Sequence, residues 1–491
     1  MSRRSSGFEL ALPTRMQSRP AWRWLYETLR REILTGHLKA GARLPATRDL
    51  AEEFGFARGT IVAAFEQLTA EGYVEGRTGS GTYVSQTLPE TLLEVDSTDR
   101  SEGRGIDAPK RVLAQYGKDV KLFPGYERRP TRAFRPNLPA LDLFPIELWT
   151  KVTAGVLRRA PTQLLMGCDA MGYLPLREVV SDYLNASRGV RCSAQQIAIV
   201  SGVQEALDIV SRLLIQPGDV VCMEDPGYTG AAAVFASCRA KVHPTPVDQE
   251  GLMTRRLPRT GVRLVYVTPG HQFPLGVTMS LARRVALLEW AKNSGALVFE
   301  DDYDSEYRYR GRPVPALQGL APSHAVLHAG TFSKTLFPGL RLGYMVVPES
   351  FVERVQAVRS VTTRHAPVLD QAVLHAFMAE GHFARHVRQM RTVYAERLGT
   401  LLAQVEAKLR GALSITGIEA GLQTAGWLQA GMSSTRIASA AAEHGVEVTP
   451  LSGYARGKLS MEGLQIGFAA VNSKEIRRGI EVLARVLEHI V

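Results

Sequence analysis

Residues 328–347 read HAGTFSKTLFPGLRLGYMVV, and this stretch indicates what kind of domain fills most of the chain. Lys334 follows a short apolar run, among the hydroxyls of Thr331 and Ser333 and the guanidinium of Arg341. A lysine amine forms a Schiff base with an aldehyde cofactor, and hydroxyls beside an arginine bind phosphate. A lone lysine is most often a surface charge, but these neighbours favour a cofactor site.

Around this stretch, from residue 131 to residue 491, short β-branched runs alternate with helical periods. Helical stretches such as Gln204–Leu214 and Leu281–Lys292 lie between predicted strands at Ile197–Val200, Val220–Met223, Leu264–Val267, Ala296–Phe299 and Ala325–His328. This alternation predicts an α/β fold, with a mainly parallel sheet covered by helices. Since open α/β sheets bind ligands at the carboxyl ends of their strands, motifs at those ends are candidate site residues.

Three more motifs follow predicted strands. SGVQEAL (201–207) places the N–H groups of Val203 and Gln204 at a helix N-terminus, where they would face an anion. EDPGYTG (224–230) contains Tyr228, which either stacks on a flat ring or is a core tyrosine. FEDDYDSEYRY (299–309) crowds acidic side chains at a strand end. A carboxylate buried there needs a cationic partner such as a protonated pyridine nitrogen, and the alternatives are a solvated acidic loop or a metal site.

Residues 20–86 follow a different pattern. The spacing predicts a helix over Trp22–Leu34, a short helix between Pro45 and Gly55, and a third helix from Arg58 to Glu71. YVEGRTGSGTYV then predicts a two-stranded hairpin that turns at GSG. This order of elements is that of a winged helix-turn-helix, whose third helix enters the major groove of double-stranded DNA.

The candidate DNA contacts lie around this predicted turn and on the hairpin. Arginines would meet phosphates or guanine edges, threonines would donate to phosphates near helix N-termini, and a hairpin glycine lets the backbone approach the minor groove. These residues are Arg43, Thr47, Arg48, Arg58, Thr60, Arg77 and Gly79. The alternative is a small helical domain with solvated arginines, but the agreement of spacing, helix ends and hairpin favours DNA binding.

Composition limits the remaining possibilities. The chain has 491 residues, of which 45% are hydrophobic and 22% charged, as in soluble globular proteins of two to four domains. Residues 87–130 are rich in charge, Pro, Gly and Ser and are interpreted as a linker. No apolar run is long enough to span a bilayer and no secretory signal is found, which indicates a cytoplasmic protein.

Charge and cysteine content narrow the possible partners. The formal net charge of +11 permits contact with nucleic acid. Residues 1–85 hold only 12 Lys and Arg against 9 Asp and Glu, so the DNA-binding prediction depends on the motif and not on charge. The four cysteines, Cys168, Cys192, Cys222 and Cys238, form no CxxC pair, and we expect neither a metal site nor a disulfide framework.

The N-terminal motif resembles the GntR family of bacterial regulators in RLPATRDLAEEFGFARGTIVAAFEQLTAEGYVEGRTGSGTYV, residues 43–84. Ala57 stands where a serine normally caps the third helix, and Gly59 stands where asparagine is common. Losing a serine cap costs about 1 kcal/mol of helix stability. We therefore expect a weaker helix start and a changed sequence preference, but the same motif.

The C-terminal motifs resemble fold-type I aminotransferases. Together with the N-terminal motif they resemble the MocR/GabR regulators, particularly in TPGHQFPLGVTMS (268–280), EDDYDSEY (300–307) and GHFARHVRQMR (381–391). The resemblance implies a transferase fold dependent on pyridoxal 5′-phosphate (PLP) over residues 131–491, with a smaller C-terminal subdomain. It covers nearly the whole chain apart from the linker.

The resemblance also implies roles for single residues. Lys334 would form the Schiff base with PLP, Asp301 would pair with the pyridine nitrogen, Tyr303 would bond the ring hydroxyl, and Tyr228 would stack on the ring. The phosphate would be surrounded by Val203, Gln204, Thr331, Ser333 and Arg341. Tyr173 would reach the phosphate of a neighbouring subunit, which implies a homodimer.

Some positions depart from the aminotransferase pattern. Phe273 stands where working aminotransferases carry asparagine, and Gln465 stands where they carry an arginine that pairs with the substrate carboxylate. Neutral glutamine does not form that bidentate pair, although another cation such as Arg364 can compensate. Thr229 and Gly230 replace an arginine that the γ-aminobutyrate sensor has after its stacking tyrosine.

Three functional hypotheses follow. The first is a DNA-binding transcriptional regulator that senses a small amine, an amino acid or PLP itself through Lys334. The second is an aminotransferase with an accessory DNA-binding domain, in which Lys334 also moves protons. The third is a cofactor-storage dimer. The winged helix-turn-helix argues against the third, and Gln465 argues against efficient turnover.

Overall fold

The computed structural model describes residues 20–77, 80–88, 116–117, 130–309, 311, 314–321, 325–415 and 418–490. The chain divides into two compact units, residues 1–112 and 113–491. Most of the predicted linker lies outside the described residues, so the boundaries 20–86, 87–130 and 131–491 stay a prediction. No helix in the described part of the chain is long and apolar enough to cross a membrane.

The first unit has the predicted order of elements. Three helices, α1 (Ala21–Leu34), α2 (Thr47–Phe54) and α3 (Arg58–Ala70), precede an antiparallel hairpin of β1 (Val74–Arg77) and β2 (Gly81–Val84). Helix α2 ends at Gly55, whose φ of +66° is the left-handed conformation that glycine adopts readily. The winged helix-turn-helix prediction is therefore confirmed.

A small apolar core holds this unit together. Leu25, Leu29 and Ile33 recur at four-residue spacing along α1, and all three are buried. They form one stripe that packs in the same core as Ile61 and Phe65 of α3. The amphipathic spacing of α1 is thus what fixes the third helix in place.

The second unit is built on an eight-stranded sheet in the order β3-β10-β9-β8-β7-β4-β5-β6. The strands β4, β5, β7, β8 and β9 run parallel, whereas β10 is antiparallel to both of its neighbours, β3 and β9, and β6 is antiparallel to β5. The predicted α/β fold with a mainly parallel sheet is confirmed. The strands are β3 (Ile197–Val200), β4 (Val220–Asp225), β5 (Lys241–Asp248), β6 (Gly251–Leu252), β7 (Val262–Val267), β8 (Leu297–Asp302), β9 (Val326–Thr331) and β10 (Gly343–Val346).

Helices cover this sheet, and a smaller antiparallel sheet follows it in the chain. The four-stranded sheet has the order β11-β12-β14-β13, with β11 (Leu413–Ile415), β12 (Gln423–Leu428), β13 (Thr449–Pro450) and β14 (Gly463–Gly467). The helices are α4 (Ile146–Arg159), α5 (Thr162–Met166), α6 (Leu174–Ser187), α7 (Val203–Leu214), α8 (Thr229–Ser237), α9 (Leu281–Ser294), α10 (Leu317–Leu320), α11 (Val352–Val361), α12 (Val368–Ala379), α13 (His382–Lys408), α14 (Ser434–Glu443) and α15 (Ser473–Ile490).

The parallel strands run further than the sequence predicts. β8 continues three residues past its predicted end at Phe299, so that Asp301 and Asp302 lie on the strand and are buried. β4 likewise continues past Met223 to include Glu224. Because neighbouring parallel strands end at one edge of the sheet, these carboxyl groups lie near the end of β9 that leads to Lys334.

Candidate cofactor site and DNA-binding face

Lys334 lies three residues after β9 and is partly buried. Its Nζ donates a hydrogen bond of 2.8 Å to the carbonyl oxygen of Asn137. The Asn137 N–H in turn donates to Oε1 of Gln423 on β12, at 2.7 Å. The lysine amine is therefore held at the junction between the large sheet and the small sheet of this unit.

Two distant parts of the chain bring anion-binding elements together beside Gly202. Helix α7 begins at Val203, and a helix start leaves N–H groups without partners inside the helix. The Arg341 guanidinium nitrogens lie 3.9 Å from the point where a Gly202 side chain would begin, just before that helix. The Thr331 hydroxyl accepts from the Ser333 N–H at 3.1 Å. The N–H groups, the guanidinium and the hydroxyls together suit a phosphate.

Asp301 is buried and has one carboxyl oxygen in use. Its Oδ2 accepts from the Tyr266 hydroxyl at 2.6 Å, and its Oδ1 has no hydrogen-bond partner among the described residues. Burial raises the pKa of Asp301 to about 7, although the Tyr266 hydrogen bond opposes this rise. The open oxygen can accept a proton-bearing nitrogen, which is what a protonated pyridine offers.

Asp302, the next residue, uses both of its carboxyl oxygens in hydrogen bonds. It accepts from Arg188 at 2.8 Å and from the Ser305 hydroxyl. Burial alone would raise the pKa of Asp302, but the Arg188 guanidinium, His328 and the Ser305 hydroxyl together outweigh it and the pKa is lowered. Glu300 is also engaged, since it accepts from His328 Nδ1 at 2.9 Å. The structure thus separates the three acidic residues, which the sequence alone does not.

Aromatic rings form a wall beside these carboxyl groups. Phe273 lies at the centre, with ring centroids 5.6 Å from Tyr228, 6.2 Å from Tyr303 and 5.0 Å from Tyr454. The Tyr228 hydroxyl accepts from Gln204 Nε2 at 3.1 Å. Gly230 backs this tyrosine so closely that an added side-chain carbon would lie 2.5 Å from its ring, so a larger residue there requires Tyr228 and Gln204 to move.

Tyr303 is held from the other side. Its hydroxyl lies 3.0 Å from His271 Nδ1, and the same nitrogen lies 2.9 Å from Asp304. Burial, followed by the charges of Asp304 and Asp301, raises the pKa of Tyr303 well above its ordinary value. Tyr303 therefore stays a neutral hydrogen-bond donor.

Several site residues were missed by sequence reasoning. Glu224 is buried, accepts from the Thr268 hydroxyl at 2.6 Å, and keeps Oε1 without a partner among the described residues. Burial raises the pKa of Glu224 to about 7. Tyr266, Gln423 and Tyr454 also belong to the site. The only available signal was the position of Glu224 directly before the DPGY turn.

The structure also describes Gln465, which stands in place of the carboxylate-binding arginine, and Arg364, the suggested substitute cation. Gln465 lies on β14, fully buried, and its Oε1 accepts from the Tyr454 hydroxyl at 2.7 Å. Arg364 is exposed after α11, where its N–H donates to the Arg359 carbonyl. In the described part of the chain no hydrogen bond or ion pair joins Arg364 to Gln465. A role for Arg364 as a compensating cation therefore stays a prediction.

Tyr173 precedes α6 and is partly buried. Its N–H donates to Gln371 Oε1 at 2.8 Å, and its ring meets His375 edge-on at 6.0 Å. The role predicted for Tyr173 belongs to a second subunit, so the contacts within one chain do not test it.

On the first unit, the predicted DNA contacts divide into two groups. Arg48 in α2 and Arg58 at the start of α3 are exposed, while Thr47 and Thr60 are partly buried beside them. Ala57 gives α3 no side-chain cap, as its residue type predicts. This group surrounds the turn between α2 and α3.

The second group lies on the wing. Arg43 pairs with Tyr83 of β2 in an isolated antiparallel bridge, so it lies beside the hairpin rather than at the helical turn. Arg77 forms an ion pair of 2.7 Å with Glu75, and its guanidinium lies 4.7 Å from the Tyr83 ring. Gly79 lies outside the described residues.

Comparisons with known proteins agree with both halves of this description. Residues 23–84 match the model of bacterial regulatory proteins of the gntR family, and residues 155–483 match that of aminotransferase class I and II. The chain is 39% identical over 465 residues to the probable rhizopine catabolism regulatory protein MocR of Rhizobium meliloti, covering 94% of this chain and 93% of that protein.

Two other similarities are informative. The chain is 29% identical to the pyridoxine biosynthesis transcriptional regulator PdxR of Corynebacterium glutamicum, over 92% of this chain and 93% of that one. The structure of Pyrococcus horikoshii kynurenine aminotransferase, in complex with PMP, superposes with a TM-score of 0.70 at 26% identity. It covers 77% of this chain and 97% of that chain.

Proposed function

Because the chain belongs to the MocR-type transcriptional regulators, which join a GntR-family DNA-binding domain to an aminotransferase-like domain, we propose that a ligand at Lys334 controls its contact with DNA. The matches confirm the family predicted from the sequence. The effector, the cofactor, the dimer and the individual site residues are parts of this proposal.

The observation that carries the proposal is the open oxygen of Asp301. A buried carboxyl with an unpartnered oxygen is costly unless a ligand completes it, and a protonated pyridine nitrogen does so. The start of α7, Arg341, Thr331 and Ser333 supply the matching phosphate cradle. The residues present therefore fit PLP.

When bound, PLP supplies an aldehyde that reacts with primary amines and a ring that withdraws electrons. Lys334 would hold it through Nζ, and Asp301 would accept the proton of the ring nitrogen. Tyr303, kept neutral, would donate to the ring hydroxyl, while Tyr228 and Phe273 shape the walls. These residues would bind and orient the cofactor and exclude water from it.

Regulation requires that the ligand favour one arrangement of the protein over another. We propose that a small amine, an amino acid or PLP itself is the effector, and that Arg48 and Arg58 place the first unit on double-stranded DNA. A homodimer in the cytoplasm, with Tyr173 reaching the partner's phosphate, completes the proposal. The alternative, an aminotransferase with an accessory DNA-binding domain, is disfavoured by the neutral Gln465.

One experiment separates the two functions. Purified full-length protein loaded with PLP is incubated with a panel of amines and amino acids, and keto-acid formation is measured beside binding to its own upstream DNA. We expect at least one compound to change DNA affinity without sustained keto-acid production. Steady turnover with no effect of any compound on DNA binding would contradict the regulator and support the enzyme.

A further inference from the structure

The Gln465 carboxamide is a buried polar group with a fixed orientation. The residue is 0% exposed, and the Tyr454 hydroxyl donates to its Oε1 at 2.7 Å. Tyr454 packs at 5.0 Å against Phe273, the central ring of the wall beside Tyr303. Because Oε1 is used, the free atom is Nε2, which has no hydrogen-bond partner among the described residues. The group is thus a hydrogen-bond donor without an acceptor.

Gln423 presents a second donor of the same kind. Gln465 pairs with Ala425 across the small sheet, and Gln423 is two residues from Ala425, so both side chains lie on one face. Gln423 Oε1 accepts from the Asn137 N–H, and the Asn137 carbonyl accepts from Lys334 Nζ. Nε2 of Gln423 makes no hydrogen bond of ordinary length in the described part of the chain, although the Gln423 side chain acts on the Tyr303 hydroxyl and lowers its pKa. Gln423 therefore lies one residue away from the Lys334 contact, and Gln465 lies on the same face of the small sheet as Gln423.

The charges around these donors are mostly negative. Asp301, Glu224 and Asp304 all act electrostatically on Tyr303, which shares the aromatic wall with Tyr454. Within the described residues, no arginine or lysine side chain donates to either glutamine. Arg135, two residues before Asn137, lies 3.8 Å from Glu447. A carboxylate placed at Gln465 would be buried near these carboxyl groups, and no arginine of the described residues pairs with either glutamine.

We infer that this end of the Lys334 site recognises an uncharged polar amine, a primary amine that carries a hydroxyl or carboxamide group where an amino acid carries its carboxylate. The ligand oxygen accepts from Gln465 and Gln423, and the ligand amine lies toward the acidic groups and Lys334. This inference rests on the proposed function, since it names the class of effector for the same site. It follows because the amide donors of Gln465 and Gln423 are neutral, and because no arginine or lysine of the described residues pairs with them.

Matched small amines test the inference directly. Full-length protein loaded with PLP is titrated with L-alaninamide, L-alaninol and L-alanine, which differ only in the group at one end. Binding is followed by the visible absorbance of the bound cofactor, which responds to amines without turnover. We expect the amide and the alcohol to bind at least about tenfold more tightly than L-alanine, the range that one buried hydrogen bond supplies.

Two substitutions at Gln465 change the predicted ligand preference, and separate measurements show whether each variant is folded. Gln465→Arg supplies the missing cation and is expected to reverse the preference toward L-alanine. Gln465→Leu removes the donor at similar volume and is expected to reduce the preference for the amide and the alcohol to less than about threefold. Retention of the cofactor band and of the unfolding midpoint shows that each variant is folded.

Exposed arginines provide the matched controls. Arg364→Ala and Arg456→Ala are expected to leave the preference unchanged, because both side chains are exposed. A loss of L-alanine affinity in either variant would identify a carboxylate-binding cation and contradict the inference.

The remaining outcomes are also decisive. Equal or tighter binding of L-alanine by the unmodified protein overturns the inference, and so does the lack of any response to all three amines. If DNA binding still responds to the cofactor in that case, the proposed function stands and only the effector class is wrong. If neither the cofactor band nor a DNA response is present, the proposed function fails as well.

Discussion

The two ends of the Lys334 site differ in how their buried polar atoms are arranged. At the cofactor end, Arg341 and the start of α7 offer positive charge, and Asp301 offers one open acceptor. At the ligand-facing end, Gln423 and Gln465 offer open neutral donors. The first set matches a phosphorylated pyridine, whereas the second matches no ordinary amino-acid carboxylate.

This difference teaches that holding a cofactor and turning over amino acids are separable properties of one fold. The cofactor end depends on charges that lie at strand ends and at a helix start, which the sheet itself positions. The opposite end depends on single side chains of the small sheet, Gln423 and Gln465. A sensor needs the charged groups that hold the cofactor, together with side chains at the opposite end that select its ligand.

The largest expected effect comes from Lys334→Ala, which removes the amine at the cofactor end. We expect complete loss of the visible absorbance band of the lysine-bound cofactor after incubation with PLP and dialysis. Lys292→Ala, at an exposed position on α9, is the matched control and is expected to keep the band. A band that persists in Lys334→Ala would show that the cofactor is held elsewhere.

A pair of neighbouring acidic residues sharpens the comparison within the cofactor end. Asp302→Asn leaves the largely buried Arg188 without its counter-charge, and we expect it to lower the free energy of unfolding by about 3–5 kcal/mol. Asp301→Asn removes the acceptor for the ring nitrogen instead. We expect it to weaken PLP binding by roughly 100-fold, about 2.7 kcal/mol, with little loss of stability in the cofactor-free protein.

Urea denaturation and a PLP titration of both variants separate these effects. The same loss of PLP affinity in both variants, or a larger loss of stability in Asp301→Asn, would contradict the assignment of Asp301 as the open acceptor.

The last comparison is a pH dependence of stability at the cofactor end. Burial raises the pKa of Asp301 and of Glu224 to about 7 in the folded chain, from about 4 in an unfolded chain. The folded state therefore binds more protons between these values, and the free energy of unfolding falls as pH rises from about 4 to about 7 and then levels off. The size is on the order of 1.4 kcal/mol per pKa unit for each group.

Bound PLP is expected to reduce this slope, because a protonated ring nitrogen favours the ionised form of Asp301. Denaturation of cofactor-free and cofactor-loaded protein across this range measures the difference. Burial also raises the pKa of Glu306 to about 7. Because Glu306 is present in both samples, its contribution to the slope cancels and the difference reports on the cofactor site. Identical slopes with and without PLP would contradict the pairing of Asp301 with the cofactor.

Much of the fold was predictable because its signals are local. The three helices and the hairpin of the first unit are marked by spacing and by residues such as Gly55, and the parallel strands by β-branched runs. The ends of β4 and β8 were not predictable, because acidic residues normally indicate a loop. The acidic residues of β8 stay in the strand because partners such as Arg188 and Tyr266 satisfy them. Those partners lie far away in sequence, so no local pattern reveals them.

The same reason divides the candidate site. Thr331, Ser333, Lys334 and Arg341 lie within eleven residues of one another, so one motif predicted them together. Gln423 and Tyr454 join the candidate site only through folding and carry no motif of their own, whereas Glu224 lies in the EDPGYTG motif and only folding shows its burial there. Arg43 is a similar case, since only folding shows that it pairs with Tyr83 of the wing, and its contact with DNA stays a prediction.

The most direct test of the central claim is the effect of PLP on DNA binding. A labelled duplex from the upstream region is titrated with full-length protein, with and without PLP, for the unmodified chain and for Lys334→Ala. We predict that PLP changes the DNA affinity of the unmodified protein by at least about fivefold, the low end of allosteric coupling, and that Lys334→Ala shows no response. Identical binding curves for the unmodified protein with and without PLP would contradict the account.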